Sequence, residues 1–522
     1  MGTCTEQRNW ARISEEEIKT SWSVRYLPTQ GGKGGRVKKL SYLGIIAFIF
    51  LFCAVMSVTS RAQLTTIHSF AGTDGWNPSG LLLSGGNFYG TTAQGGSYGA
   101  GSVFKITPSG TLTSLHSFNG DDGLTPYAGL VLGNDGNFYG TTNNGGYHHI
   151  GEVFKITPGG TLGVLHSFDY DYGDGGYPGG LVLGRDGNFY GTTSLGGYDD
   201  RGTFFVVSPD GNTFATLYGF EPSVGSNPTA ALVVGSDGNF YGVAPAGGAH
   251  ASGTVFKLTP GGTPTLLYSF CSQPSCTDGA SPSSSLLLAS DGNFYGTTYG
   301  GGSYQFGAVF KITSSGAVTI LHSFNRTDGR NPLGALIQAH DGNFYGTTAA
   351  GGTHDVGTVF QMTPAGVLNS LYSFNTTDGS NPNSGVVQGN DGKFYGTTSA
   401  GGANNDGTVF RFEASYDTLT VTALGDGTVT STDGYINCPG TCSHLYPHNA
   451  PVSLTATPAS GWVFSSWSGC DSSSGNQCTV TMNNNRTVTA TFTQVFQLSV
   501  SKVGNGTVTS SDGHINCGST CS

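Results

Sequence analysis

The triplet Phe-Tyr-Gly occurs seven times in this chain, with Phe88, Phe138, Phe189, Phe240, Phe294, Phe344 and Phe394 as its first members. Successive copies lie 50, 51, 51, 54, 50 and 50 residues apart. A period near 50 without helical patterning restricts the fold to an array in which each repeat is one supersecondary unit. The second repeat shows the grammar. Leu130-Val131-Leu132 is a short apolar run, expected as a strand buried on both sides, and Asn134-Asp135-Gly136 is a hairpin turn. Phe138 to Thr142 reads as an aromatic, β-branched strand. Gly145-Gly146 opens a loop, Val153 to Thr157 alternates as a third strand, and Thr161 to Phe168 forms a fourth after Pro158-Gly159-Gly160. Four strands per repeat make one propeller blade.

The ends of the array are out of phase with its repeats. It begins on a fourth-strand phrase, Leu64 to Phe70, and ends on a third strand, Gly407 to Phe412. The strands balance only if the first completes the last sheet, which leaves no edge at the seam. The expectation is an all-β fold with a seven-bladed β-propeller over 63–414.

The phrases DGNFYGTT, GTVFKITP and LHSF resemble the bacterial GloVer (Gloeo–Verruco) repeat along the whole array. The resemblance implies an exported bacterial protein and carries no catalytic residues with it. Repeat four departs with Val243-Ala244 in place of Thr-Thr, and repeat three with Phe204-Phe205-Val206 in place of Val-Phe-Lys. After Ser415 the language changes. Leu419 to Ser443 recurs at Leu498 to Ser522, 79 residues later, and the intervening alternating strands resemble the β-rich bacterial repeat of the internalin-B type. The expected organisation is a leader over 1–62, the array over 63–414, a complete small β-rich repeat over 416–494, and a truncated second copy over 495–522.

Lys33, Arg36, Lys38 and Lys39 precede the apolar run Tyr42 to Val58, with Ser60 and Ala62 at the small-residue positions before Gln63. This pattern predicts a secretory signal peptide cleaved near Ala62, and no membrane span in the mature chain. The location expected is secreted or cell-surface. Of ten cysteines, eight fall in close pairs behind that signal: Cys271/Cys276, Cys438/Cys442, Cys470/Cys478 and Cys517/Cys521. Spacing and export favour disulfides over zinc. A net charge of −11 argues against nucleic acid as a partner.

Chemistry is sparse. The Gly-Gly pairs precede no helix and no P-loop lysine, so they are turns. The recurring Asp-Gly turns offer too few oxygen ligands for calcium. His68, His116, His166 and His322 share a slot taken by Tyr218, Tyr268 and Tyr372 elsewhere, which marks packing residues rather than metal ligands. No catalytic residue, metal or cofactor is expected. The variable loops after the Gly-Gly pairs project from one side of the array, and their candidate ligand-binding residues are Tyr98, Tyr147, His148, Tyr198, Asp199, His250, Tyr304, Gln305, His354, Asp355 and Asn404. Aromatic faces beside Asn, Asp and His suit a carbohydrate or a surface protein. The expected role is a monomeric, non-enzymatic binding scaffold. The alternatives are a propeller glycan lyase or hydrolase, and a purely structural surface repeat.

Overall fold

The computed structural model describes residues 63–522, apart from 198, 415, 448–449, 497, 512–514 and 518–522. The leader over 1–62, Tyr198 and Cys521 lie outside the described residues. Among the described residues the regular elements are β-strands, apart from two single-turn 3-10 segments at Tyr170–Tyr172 and Pro274–Cys276.

Residues 63–413 form seven successive antiparallel sheets, each with four principal strands. Sheet two is representative: Val131–Leu132, Phe138–Thr142, Glu152–Ile156 and Leu162–Ser167 pair in chain order. In sheet seven the fourth place is taken by Gln63–Ser69, which pairs antiparallel with Thr408–Glu413 from Gln63 opposite Glu413 to Ser69 opposite Thr408. The out-of-phase ends read from the sequence therefore meet in one sheet.

Each position of the repeated Phe-Tyr-Gly-Thr-Thr strand has a separate physical task. The Tyr ring of each sheet packs on the Phe ring of the next: Tyr89 on Phe138, Tyr139 on Phe189, and so on to Tyr345 on Phe394. Tyr395 of sheet seven packs on Phe88 of sheet one at 4.1 Å, so these contacts run in cyclic order. Each pair contributes about 0.5–1.5 kcal/mol beyond simple burial. Glycine follows because the third-strand Phe lies against the backbone there. A Cβ on Gly140 would sit 2.6 Å from the Phe154 ring. The first Thr hydroxyl donates across to a carbonyl of the next sheet, as Thr141 does to Gly179 at 2.7 Å and Thr397 to Ser79 at 3.1 Å. Val243 breaks this belt between sheets four and five, since it has no hydroxyl. The second Thr bonds within its own sheet, as Thr348 Oγ1 does to Thr358 Oγ1 at 2.8 Å. Pattern thus becomes packing in one strand.

The first strands differ from expectation. In sheets two, four, six and seven they contain two residues, as at Val131–Leu132, and Leu132 is exposed. Only sheet three has a long first strand, Gly176–Leu183.

Residues 416–494 form two further sheets. Tyr416–Leu424 runs parallel to Arg486–Gln494, flanked by Ser443–Pro447 and Trp462–Ser468. Gly427–Ser431, Pro451–Pro458 and Gln477–Thr481 build the second. One apolar core, including Leu419, Val421, Leu454, Val488 and Phe492, fills the space between them. The disulfides Cys438–Cys442 and Cys470–Cys478 staple this module, and Cys271–Cys276 closes a loop before sheet five. Beyond it, Val508–Thr509 pairs with Asn516–Cys517.

Candidate functional site

Every sheet has two chemically distinct ends, because the Phe-Tyr-Gly strand runs from a tight turn, Asp-Gly in every sheet but the first, to the Gly-Gly loop. At the turn end the Asp is a hub. Asp291 Oδ2 accepts from Asn293 Nδ2, Tyr295 hydroxyl and Lys311 Nζ, each at 2.9 Å. Asp135 does the same with Asn137, Tyr139 and Lys155. Although burial works the other way, Lys155, Asn137 and Tyr139 hold the Asp135 carboxyl well below its ordinary value. The turn therefore anchors the buried Tyr whose ring packs on the next sheet.

At the loop end, the Gly-Gly loop and the connection between sheets hold each other. Gly146 N–H donates to Gly120 carbonyl at 2.9 Å, and Leu124 N–H to Asn144 carbonyl at 2.8 Å. Gly145 has φ +76°, and a Cβ there would lie 2.6 Å from the Leu124 nitrogen. A second fastening was not legible as such. The histidines of the His-Ser-Phe slot bond the Asp of the following connection: His68 to Asp74, His116 to Asp122, His166 to Asp174 and His322 to Asp328, at 2.8–3.0 Å. At two of the three positions where Tyr replaces His the partner persists, Tyr268 to Asp278 at 2.7 Å and Tyr372 to Asp378; the connection after Tyr218 carries no Asp. These half-buried residues are latches as well as packing groups. The paired occurrence of His or Tyr with a following Thr-Asp-Gly or equivalent Asp was the available signal.

The predicted loop residues divide into two sets. Tyr98, Tyr147, Asp199, His250, Tyr304 and His354 are exposed on this end. Tyr147 is 83% exposed and lies edge-on to His148, whose Nε2 is 3.3 Å from Asp169 Oδ2. The other set fastens the loops. Gln305 Nε2 donates to Ser275 and Gly302 carbonyls, and Asn404 Nδ2 to Phe70 carbonyl at 2.9 Å. Asp355 accepts from Arg326 and Arg330, which hold its carboxyl down to about 2, and from Gly351 N–H. Further exposed aromatics join the first set from the connections: Trp76, Tyr127, Tyr170 and Tyr172. They concentrate on the loop end of sheets one to three.

One residue there is anomalous. Glu152 occupies the third-strand position held by Ser102, Thr203, Thr254, Thr358 and Thr408 elsewhere. It is 2% exposed, and its Oε2 has no hydrogen-bond partner. Burial pushes its carboxyl up to about 7, aided by Asp122 and opposed by Ser167 and the Tyr147 amide. Among the described residues no cluster of three or more His, Cys, Asp or Glu has metal-binding geometry.

The turn end of sheets six and seven meets the C-terminal module around a cavity of about 680 Å³. Its walls include Asp341, Gln361, Asn369, Tyr416, Tyr435 and His444. Tyr416 hydroxyl lies 2.8 Å from Tyr345 hydroxyl and donates to Asp341 Oδ2 at 3.1 Å. Burial, with the Asp341 carboxylate beside it, pushes Tyr416 up to about 12. No local motif announced this cavity, since Asp341 and Tyr416 belong to different repeats.

Residues 53–182, 84–286, 156–339 and 273–441 match the model of the Gloeobacter/Verrucomicrobia repeat, and 417–495 that of the divergent InlB B-repeat domain. No curated protein matches the chain. Among solved structures, the extracellular domain of a protein described as a hybrid two-component system from B. thetaiotaomicron is 11% identical. It has a TM-score of 0.45, with 84% of this chain and 58% of that one covered. A gluconolactonase from Xanthomonas campestris is 12% identical with a TM-score of 0.35, covering 56% of this chain and 88% of that one. The chain thus spans little more than half the length of the first of these, and likenesses at these scores assign it no function.

Proposed function

The chain belongs to the Gloeobacter/Verrucomicrobia repeat family, and on that premise we propose that it is an exported binding scaffold whose ligand docks on the loop end of the array. In this reading residues 63–414 are a seven-bladed propeller, supported by the cyclic order of the Tyr-on-Phe contacts from sheet one to seven and back. Residues 416–494 are a separate spacer module, and the chain is monomeric and secreted or held at the cell surface.

The observation that carries the proposal is the gathering of exposed aromatics, Trp76, Tyr98, Tyr127, Tyr147 and Tyr172, on one end of sheets one to three. Exposed rings brought to one end of the array give a partner large apolar faces to dock on. Rings mixed with Asn, Asp and His suit a polysaccharide or a surface protein. A binding role is favoured over glycan hydrolysis by the state of Glu152. Its carboxyl has a general acid's pKa, but it is sealed beneath the Gly145-Gly146 turn.

A glycan array probed with the full chain tests this reading. The expected result is reproducible binding that Tyr147→Ala abolishes while the thermal melt is unchanged. Binding indifferent to Tyr147→Ala and to Tyr172→Ala would remove the loop end from the account.

A further inference from the structure

The cavity at the turn end of sheets six and seven is a second candidate site, independent of the loop end. Sheet six departs from its siblings there. The third-strand position that is Lys105, Lys155, Lys257 and Lys311 in four other sheets is Gln361, and its cross-strand neighbour is Asn369. The cationic arm of the hub has become a neutral amide, while its carboxylate, Asp341, remains. Gln361 Nε2 donates to Tyr345 hydroxyl at 3.0 Å, and Asn369 Nδ2 to Gln361 Oε1 at 3.5 Å. Asn369 is nine-tenths buried, and neither its Oδ1 nor that of Asn343, also on the wall, accepts a hydrogen bond within the protein. These are acceptors awaiting donors.

The opposite wall is aromatic. Tyr435 stacks on His444 with ring centroids 4.3 Å apart and planes at 7°, and Tyr446 packs edge-on to His444. Burial holds His444 below its ordinary pKa, so it adds little positive charge. Asp341, Asp391, Asp433 and Glu413 line the cavity, against a single Lys393 that pairs with Glu413 at 3.0 Å.

We propose that this cavity binds a short segment of a neutral polysaccharide. Sugar hydroxyls supply the donors that the Asn369 and Asn343 amide oxygens lack, and the C–H face of a pyranose ring fits a flat aromatic wall. The carboxylates repel uronate, sulfate and phosphate groups. The volume lies within the range of about 300–1,000 Å³ usual for such sites. The C-terminal module is then half of a binding site, and the site exists only where the module docks on sheets six and seven.

Isothermal titration of the full chain with cellohexaose, maltohexaose and xylohexaose tests the proposal, with hexalysine and a galacturonate hexamer as charged controls. At least one neutral glycan is expected to bind. Tyr435→Ala should weaken it about tenfold or more, whereas Tyr435→Phe keeps the ring and should stay within about threefold. Glycan binding that Tyr435→Ala weakens belongs to this cavity, whereas binding that Tyr435→Ala leaves intact and Tyr147→Ala removes belongs to the loop end, which separates the failure of one site from that of the other. The proposal is overturned if none of the three neutral glycans binds, if Tyr435→Ala has no effect on a protein that melts normally, or if hexalysine or galacturonate binds more tightly.

Discussion

The two ends of the array's sheets are built from the same strands and obey opposite rules. At the turn end, sheet six with its unpaired Asn343 and Asn369 oxygens apart, the Asp hub is fully committed: Asp291 alone takes hydrogen bonds from Asn293, Tyr295 and Lys311. At the loop end large rings face water, and Glu152 is buried with an unpaired oxygen. The turn end is arranged for stability. The loop end tolerates costs that stability alone would not select, the usual mark of a surface kept for contact with something else.

Acid should separate the two ends. Below pH 4.5 the Glu152 carboxyl is protonated in both folded and unfolded chains. Between 4.5 and about 7 the folded chain holds a proton that the unfolded chain has released, so stability falls as pH rises through that window. Glu152→Thr, which installs the residue of the sibling sheets, is expected to stabilise by up to about 3 kcal/mol at pH 7.5 and by little below pH 4.5. Urea unfolding of both proteins across this range measures it. A pH-independent difference would mean that Glu152 is not buried as a proton-binding group.

The turn end carries the opposite sign. Despite burial, Lys311, Asn293 and Tyr295 hold the Asp291 carboxyl well below its ordinary value. Its contribution is present above the unfolded pKa near 3.8 and is lost as pH falls below it. Asp291→Ala should cost about 1–3 kcal/mol at pH 7, by leaving the buried Tyr295 hydroxyl without its acceptor. A loss below 0.5 kcal/mol, roughly the noise of such measurements, would show the hub to be ornamental.

A smaller effect sharpens the contrast within the belt between sheets. Val243→Thr gives sheet four the hydroxyl that Thr141 and Thr347 use toward their neighbours. We expect a gain of about 0.5–1 kcal/mol in denaturant unfolding, and an outright loss would mean that no acceptor lies within reach. The smallest effect on stability is expected for Tyr147→Ala, within about 0.5 kcal/mol because the ring is exposed, although binding at the loop end disappears.

The repeat itself was legible from residue order because each of its tasks is local to one strand or to the equivalent strand of a neighbour. Period, glycine placement and out-of-phase ends therefore led directly to seven sheets and to the strand shared at the seam. The loop end was legible as a region but not residue by residue. Gln305, Asp355 and Asn404 have the chemistry of ligand contacts, and only three-dimensional proximity to Ser275, Arg326 and Phe70 shows that they hold the loops. The cavity was invisible for the same reason in stronger form. It joins sheets six and seven to a module of unrelated sequence, and its single trace in the repeat is Gln361 where Lys is usual.

The shared strand at the seam has a mechanical consequence. Gln63 enters and Glu413 leaves the array at one end of the same antiparallel ladder, directly opposite each other. Tension applied between those two points pulls the pair apart crosswise and opens the rungs one after another, as a zipper does, instead of loading all of them together in shear. The other six sheets lie off the load path until the last rung, Ser69 opposite Thr408, has parted. For a chain pulled at Gln63 and Glu413, the seam is the part of the array that the load reaches first.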